Sequence, residues 1–184
     1  TRTNPVQEAA IQLVSHIRYT QHLAMMDDRF DSTDATWFQT LWQIRFTAGI
    51  LPLPGQVAYG IFSDTDKNQA PTLGGNVAVD PQSGLLMTGG VTNALPYSDD
   101  RVLKKANLGM TYGITSVTFG SECNDAMRIA FDNLGRPIEG DISSANLITD
   151  LKYITGTCQI TISNGTNPDA VILIEPETGY THIQ

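Results

Sequence analysis

The sequence opens with one long amphipathic segment, residues 4–29, and most of the remaining chain is short, strand-like and rich in turns. Apolar residues recur in this segment at steps of four, three, four and seven positions: Val6, Ala10, Leu13, Ile17 and Ala24. That spacing places them on one stripe of a 3.6-residue helix. Asn4 suits an N-cap, and Pro5 suits the first helical position, where no amide hydrogen is needed. The pattern predicts a helix of roughly 35 Å at 1.5 Å per residue, longer than a small β-rich domain needs as a cover.

Behind this segment, short runs with alternating apolar and polar residues predict a series of strands. We expect strands at 42–47, 57–61, 76–79, 85–88, 112–119, 127–132, 159–163, 170–175 and 180–183. A turn at Pro52, Pro54 and Gly55 predicts that the first two form a hairpin. Residues 98–108 predict a short helix, and 140–154 favour a weak helix or a loop. The sequence therefore predicts one α+β domain, 1–184, with a helix within 1–30 and a β-rich part at 35–184.

The charge balance limits the partners of this chain. It carries 19 acidic and 11 basic residues, a net charge of −8, whereas nucleic acids and anionic membrane surfaces require a cationic face. Only 16% of the residues are charged and 16 are Gly, which fits an extracytoplasmic β protein. No apolar run approaches the length of a transmembrane helix, and no signal peptide is visible. Since the chain lacks an initiating Met, we expect a processed or truncated form whose first helix continues upstream.

Two cysteines, Cys123 and Cys158, are present, and an even number is compatible with a disulfide. The alternative is a pair of buried free thiols. A bridge between positions 35 residues apart would stabilise the fold by about 3–4 kcal/mol in the chain-entropy model. If it forms, we expect the strands at 127–132 and 159–163 to be neighbours in one sheet.

The alternation Asp64-x-Asp66-x-Asn68 matches the first three ligand positions of a calcium loop. The match then weakens, because Gln69 replaces the usual Gly and Gly75 stands where a bidentate Glu is needed. A calcium site would therefore require ligands from elsewhere, such as Asp80, Asp99 or Asp100, together with backbone carbonyls. The alternative is a polar turn capped by its own Asp and Asn side chains.

No catalytic motif is recognisable, and we expect no enzymatic activity. His16 and His22 are six residues apart on the predicted helix and do not share a face, so they do not form a zinc pair. Together with His182 we assign them solvent or packing roles. Four aromatic residues are candidates for a sugar-binding platform, although aromatics at strand spacing usually belong to a core: Trp37, Trp42, Tyr59 and Tyr97.

The order of parts resembles minor type IV pilins and type II secretion pseudopilins. The features that carry the resemblance are the long N-terminal helix, the FDNLGRP strand-turn at 131–137, the late cysteine that opens CQITIS at 158–163, and the closing VILIEPETGYTHI at 171–183. The Phe131 to Gly135 turn and the Val171 to Gly179 strand-turn are similar to those of H-type pseudopilins, the most similar group. The family's apolar N-terminal half-helix is absent from this chain.

The resemblance implies a pilin-like fold with one long N-terminal helix packed on antiparallel β-sheet. It further implies a structural subunit of a pilus or secretion filament, whose partners are other pilin or pseudopilin subunits. It places the protein on the periplasmic or extracellular face of a bacterial cell, anchored before assembly in the inner membrane through the missing N-terminal segment. Calcium in the β region occurs in several pseudopilins. The alternative function is a secreted calcium-dependent module that binds carbohydrate or protein.

Overall fold

A computed structural model describes residues 4–48, 57–73 and 75–184, and the turn expected at Pro52, Pro54 and Gly55 lies outside these ranges. The first element is helix α1, Pro5–Met26. The side chain of Asn4 accepts hydrogen bonds from the backbone amides of Val6 and Gln7, as the sequence predicts. The helix ends before the acidic run that begins at Asp27. Carboxylates are unfavourable at the negative end of a helix dipole, which predicts an end before this run or a frayed last turn, and the first of these is confirmed.

The strands form two antiparallel sheets in the part of the chain that the structure describes. One sheet has the order β3-β2-β1-β5-β6-β7 and the other the order β10-β9-β8-β4. The ten strands are β1 Trp42–Ala48, β2 Val57–Ser63, β3 Asn76–Val77, β4 Ser116–Phe119, β5 Arg128–Phe131, β6 Pro137–Glu139, β7 Lys152–Tyr153, β8 Cys158–Ser163, β9 Ala170–Ile174 and β10 Thr181–Ile183. The expected pairing of the first two strands is confirmed, with Trp42 opposite Ser63 and Ala48 opposite Val57.

Helix α1 lies across both sheets, contacting β1 and β5 of the larger one and β8, β9 and β10 of the smaller one. Its apolar stripe is completely buried at Leu13 and Ile17, within one continuous core that includes Tyr59 and Phe131. The predicted role of the stripe is therefore confirmed. Because both sheets bury apolar side chains against the same helix, the helix joins them into one domain.

The outer face of the larger sheet is also covered, which the sequence did not predict. All seven residues of β2 are buried, although their alternation suggests one solvent-facing side. A second, smaller apolar cluster packs on the outer side of β5 and β6, and includes Phe38, Ala130 and Ile138. Short 3₁₀ turns at Trp37–Thr40 and Ile142–Ser144 supply part of this cover.

The structure differs from the local predictions in four segments. The helix expected at 98–108 is replaced by a 3₁₀ turn, Lys104–Ala106, and a short helix α2, Leu108–Tyr112. The side chain of Asn107 caps α2, and Gly113 ends it with a left-handed φ of 69°. The following strand consequently begins at Ser116 and not at 112. Residues 85–88 form isolated bridges only, and 140–154 contains two 3₁₀ turns and β7.

The disulfide between Cys123 and Cys158 is confirmed, and both residues are 0% exposed. Its expected consequence is wrong, because β5 and β8 belong to different sheets. Cys123 lies on the connection that leaves β4 of the smaller sheet and enters β5 of the larger one. The bridge therefore ties this crossing between sheets to the start of β8. No helix in the described residues is long and apolar enough to cross a membrane.

Replacing both cysteines by alanine is expected to lower the free energy of unfolding by about 3–4 kcal/mol. The reason is that the unfolded chain regains the entropy of the loop that the bridge closes. Urea denaturation of the oxidised wild type and the double variant measures the difference. The free energy of unfolding of the wild type in the presence of reductant should approach that of the double variant. A loss below about 1 kcal/mol, outside the usual range for native bridges, would contradict this role.

Candidate functional site

The predicted calcium loop comes directly after β2 and is held by its own side chains. The carboxylate of Asp64 accepts hydrogen bonds from the backbone amides of Asn68 and Gln69, both at 2.9 Å. Asp66 Oδ2 accepts from Asn68 Nδ2 at 2.6 Å and from Thr72 Oγ1 at 2.7 Å. Three of the four predicted ligands, Asp64, Asp66 and Asn68, are thus brought together, and their oxygens largely serve the turn itself.

The carboxyl groups of Asp64 and Asp66 lie close together in this loop. Asp64 is 1% exposed, and burial raises its pKa, with a further increase from the neighbouring Asp66 carboxylate. Asp80, the fourth predicted ligand, lies in a separate turn beside α1, where its carboxylate accepts from Ser83. Within residues 4–48, 57–73 and 75–184, no three His, Cys, Asp or Glu side chains form a group that could hold a metal ion. Calcium binding in this loop stays a prediction that requires backbone carbonyls or water as further ligands.

The four candidate aromatics do not form a sugar-binding platform, and the favoured alternative, a core role, is confirmed for two of them. Trp42 and Tyr59 are buried in the main core. Trp37 packs edge-on against Phe30, and the Tyr97 ring lies beneath the ammonium group of Lys104. The four aromatics are therefore distributed between the core and two unrelated surface positions, as the packing alternative predicts.

Sequence reasoning missed a groove of about 710 Å³ along one side of α1. The helix forms one wall, the turn that contains Asp80 forms another, and the segment before α2 closes the end. Its lining residues are Glu8, Ile11, Gln12, Ser15, His16, Asp80, Gln82, Ser83, Leu85, Leu103, Lys104, Lys105 and Tyr112. A groove of this volume is in the usual range of small-ligand sites, about 300–1,000 Å³. No local motif indicates it, because α1 and the other walls come from segments more than 60 residues apart in the chain.

A hydrogen-bond network forms the inner wall of the groove. Gln12 Nε2 donates to the hydroxyl of Tyr59 and to the carbonyl of Lys105, each at 2.9 Å, and Gln12 Oε1 accepts from the hydroxyl of Tyr112 at 2.7 Å. The same Tyr59 hydroxyl lies 2.6 Å from His16 Nδ1. Because a carbonyl only accepts, the amide group of Gln12 faces Tyr59 and Lys105. Tyr59 therefore accepts from Gln12 and donates its proton to His16.

This network determines which nitrogen of His16 carries the proton, and burial determines the charge of the ring. With Nδ1 accepting from Tyr59, the ring carries its proton on Nε2. Burial lowers the pKa of His16 to about 4, an effect that Asp80 opposes and Lys105 reinforces. At neutral pH the side chain is therefore an uncharged imidazole. The packing role assigned to His16 from the sequence is correct for Nδ1, while the ring also lines the groove.

A second unexpected surface lies on the solvent side of α1. Ile11 is 58% exposed, and at the helix end Met25 and Met26 are also largely exposed. Phe30 and Leu134 are exposed as well, and a side chain at Gly135 would touch the sulfur of Met25, so Leu134 lies next to the helix end. We call Met25, Met26, Phe30 and Leu134 the helix-end patch. These four residues are grouped by their exposure and by their position at or near the helix end, and contiguous exposed apolar patches are typical of interaction surfaces.

Comparison with known proteins adds no identification. No protein-family model matches the chain, and no curated protein and no solved structure is significantly similar to it.

If the loop at Asp64 binds calcium, added calcium should raise the melting temperature relative to chelator, because the ion binds only the folded loop. At a free calcium concentration 100 times the dissociation constant the gain is about 2.7 kcal/mol. Asp66→Asn should abolish the shift, and Asp150→Asn, an exposed turn residue elsewhere, should retain it. Equal midpoints with calcium and chelator in the wild type would remove the site.

The buried state of His16 predicts a specific pH dependence of stability. Its folded pKa is about 4 against an ordinary 6.5, so the unfolded chain binds the proton more readily. The contribution of His16 is complete above pH 6.5 and is lost as the pH falls towards 4, by at most about 3 kcal/mol. His16→Asn retains an acceptor for Tyr59 without titrating, so it should lose less stability than the wild type between pH 7 and 4.

The control for this measurement is His22→Asn, on the exposed face of the same helix. Urea denaturation at each pH gives the free energy of unfolding. Between pH 7 and 4 this free energy should fall as steeply in His22→Asn as in the wild type, and less steeply in His16→Asn. Equal slopes for all three proteins would contradict the neutral, buried assignment.

Proposed function

We propose that this chain is the globular part of a filament subunit of the minor pilin or pseudopilin type. The single observation that supports the proposal most is the arrangement of α1. One long N-terminal helix lies across two antiparallel sheets and buries one stripe against both. This arrangement corresponds to the order of parts that the sequence resemblance implies, and an all-β binding module would not require it.

The solvent side of α1 supports the same function. A helix that only covers a core needs no apolar residues on its outer face, yet Ile11, Met25 and Met26 are exposed there. Subunits of a filament bury such residues against their neighbours. In this proposal, Ile11 and the helix-end patch contact adjacent subunits, and the two sheets face outwards.

The proposed cellular location derives from the same resemblance to pilins and pseudopilins. The subunit is anchored in the inner membrane of a bacterium before assembly, through a helical segment upstream of Thr1, and it works on the periplasmic or extracellular side. The Cys123–Cys158 bridge suits this location, because disulfides persist in oxidising compartments. The proposed role of the protein is structural, and its proposed partners are other pilin or pseudopilin subunits.

The backbone at the start of α1 constrains how an upstream segment would be attached. Asn4 is extended, with a ψ of 106°, and its side chain occupies the amides that a continuing helix would use. Residues before a proline also avoid helical geometry. In the proposed subunit, an upstream half-helix therefore meets α1 through a break at Asn4 and Pro5.

The complete gene sequence provides the first test. We expect a leader that ends in Gly, then about 20 apolar residues, the length that spans a bilayer, directly upstream of Thr1. The N-terminal residue of the protein isolated from its own cells, determined by mass spectrometry, identifies the cleavage point. An ordinary secretion signal cleaved directly before Thr1 would overturn the proposal.

The second test concerns assembly and uses the full-length protein in its own cells. Ile11→Glu and Met26→Glu should each reduce incorporation into sheared filaments, because a buried unpaired carboxylate is costly at a subunit contact. Leu147→Glu, at another strongly exposed apolar position, serves as the matched control and should assemble normally. Equal incorporation of all three variants would contradict the assigned contact surface.

A further inference from the structure

The groove beside α1 contains opposite charges that do not neutralise each other. Lys105 lines it, and within the described residues its ammonium group has no hydrogen-bond or ion-pair partner. Asp80 lines the same groove, and none of the ion pairs among the described residues joins it to Lys105. Both residues nevertheless lie close enough to His16 to affect its titration, in opposite directions. A cationic and an anionic group thus flank the same imidazole.

The neighbouring lysine does not share this freedom. Lys104 Nζ donates to the carbonyls of Tyr97 and Asp99 and lies over the Tyr97 ring. Its charge is therefore directed away from the groove. Every other basic residue in the described part of the chain makes at least one hydrogen bond or ion pair. Lys105 is the exception, and it is located at the groove.

His16 provides a hydrogen-bond donor on the same groove lining as the two charges. Its Nδ1 is occupied by Tyr59, and the proton therefore lies on Nε2. Nε2 has no hydrogen-bond partner among the described residues and is not buried. Since His16 lines both the groove and the adjoining cavity of about 160 Å³ that reaches Met87, this donor is available to a bound molecule.

The remaining lining is largely apolar. Leu103 is buried at the base, Leu85 is partly buried against the core, and Ile11 is exposed along the rim. Burial of an apolar ligand group on these side chains would contribute about 25 cal/mol per Å² of surface removed from water. The groove therefore complements a molecule that carries one positive group, one negative group and an apolar body.

We propose that this groove binds a small zwitterion with an apolar body, about the size of a hydrophobic dipeptide. The ligand carboxylate pairs with Lys105 and accepts a hydrogen bond from His16 Nε2. The ligand ammonium group pairs with Asp80, whose carboxylate is kept in place by Ser83. Glu8, on the same lining, adds negative charge and so disfavours ligands with a net negative charge. This inference goes beyond the filament function and does not depend on it.

The test uses leucyl-leucine as the probe, at millimolar concentration, with two analogues that each lack one charge: N-acetyl-leucyl-leucine and leucyl-leucinamide. Amide chemical shifts of the isolated domain, recorded by NMR, should change around residues 8–16, 80–85 and 103–105 with leucyl-leucine. Loss of one charge-assisted pair should weaken binding by about tenfold for each analogue. These analogues test the two charges without changing the protein.

Matching variants test the same pairs from the side of the protein. Lys105→Gln and Asp80→Asn should each lower the affinity for leucyl-leucine about tenfold. Asn retains the oxygen that caps the turn at Asp80. Lys152→Gln and Asp31→Asn, surface residues remote from the groove lining, serve as controls and should bind as the wild type does. Absence of binding, equal binding of both analogues and leucyl-leucine, or unchanged affinity in Lys105→Gln and Asp80→Asn would overturn the proposal.

Discussion

The structure depends on the burial of one stripe of α1 against both sheets at once. Eight residues of this helix are buried, among them Leu13 and Ile17 at no exposure. A fully buried large aliphatic side chain stabilises by about 1.5–3 kcal/mol relative to an exposed one, so the stripe is a major part of the folding free energy. Neither sheet has another helix of comparable length to cover its inner face in the described residues. Without α1, the parts of both inner faces that the helix covers would be open to water, while Phe46 of β1 and Phe119 of β4 would still join the sheets directly.

The disulfide acts at the other place where the two sheets depend on each other. The chain crosses from the smaller to the larger sheet between β4 and β5, and Cys123 on this crossing is bonded to Cys158 at the start of β8. The helix joins the sheets through non-directional apolar contact, whereas the bridge fixes one point of the crossing covalently. The two constraints are complementary, and together they explain how ten short strands form a single domain.

The same helix creates the surfaces on which function is proposed. Its buried stripe fixes its rotation, and this rotation decides that Ile11 and Met26 face solvent while His16 and Gln12 face the turns at 80–85 and 103–105. The groove exists because those turns pack beside the helix and leave space at its polar flank. The acidic loop at Asp64 lies at the end of β2, and its side chains stabilise the turn through six internal hydrogen bonds. Filament contacts and ligand binding would thus use adjoining surfaces of one helix, with Ile11 at the border between them.

Local signals in the sequence were enough to specify several elements of this protein. The 3.6-residue spacing and the Asn4 cap predict α1, alternation predicts β1 and β8, a near-continuous apolar run predicts β9, and the even cysteine pair predicts the bridge. Features that require distant segments to meet were fixed by tertiary packing alone. Packing placed β5 and β8 in separate sheets, covered the outer face of β2, buried Trp42 and Tyr59, and separated Asp80 from Asp64. Periodicity reports which side of an element is apolar, but not which element covers that side or which side chains gather across a gap in the chain. The neutral state of His16 is of the second kind, since it results from burial of the ring between segments that are distant in the chain, among them Tyr59, 43 residues away.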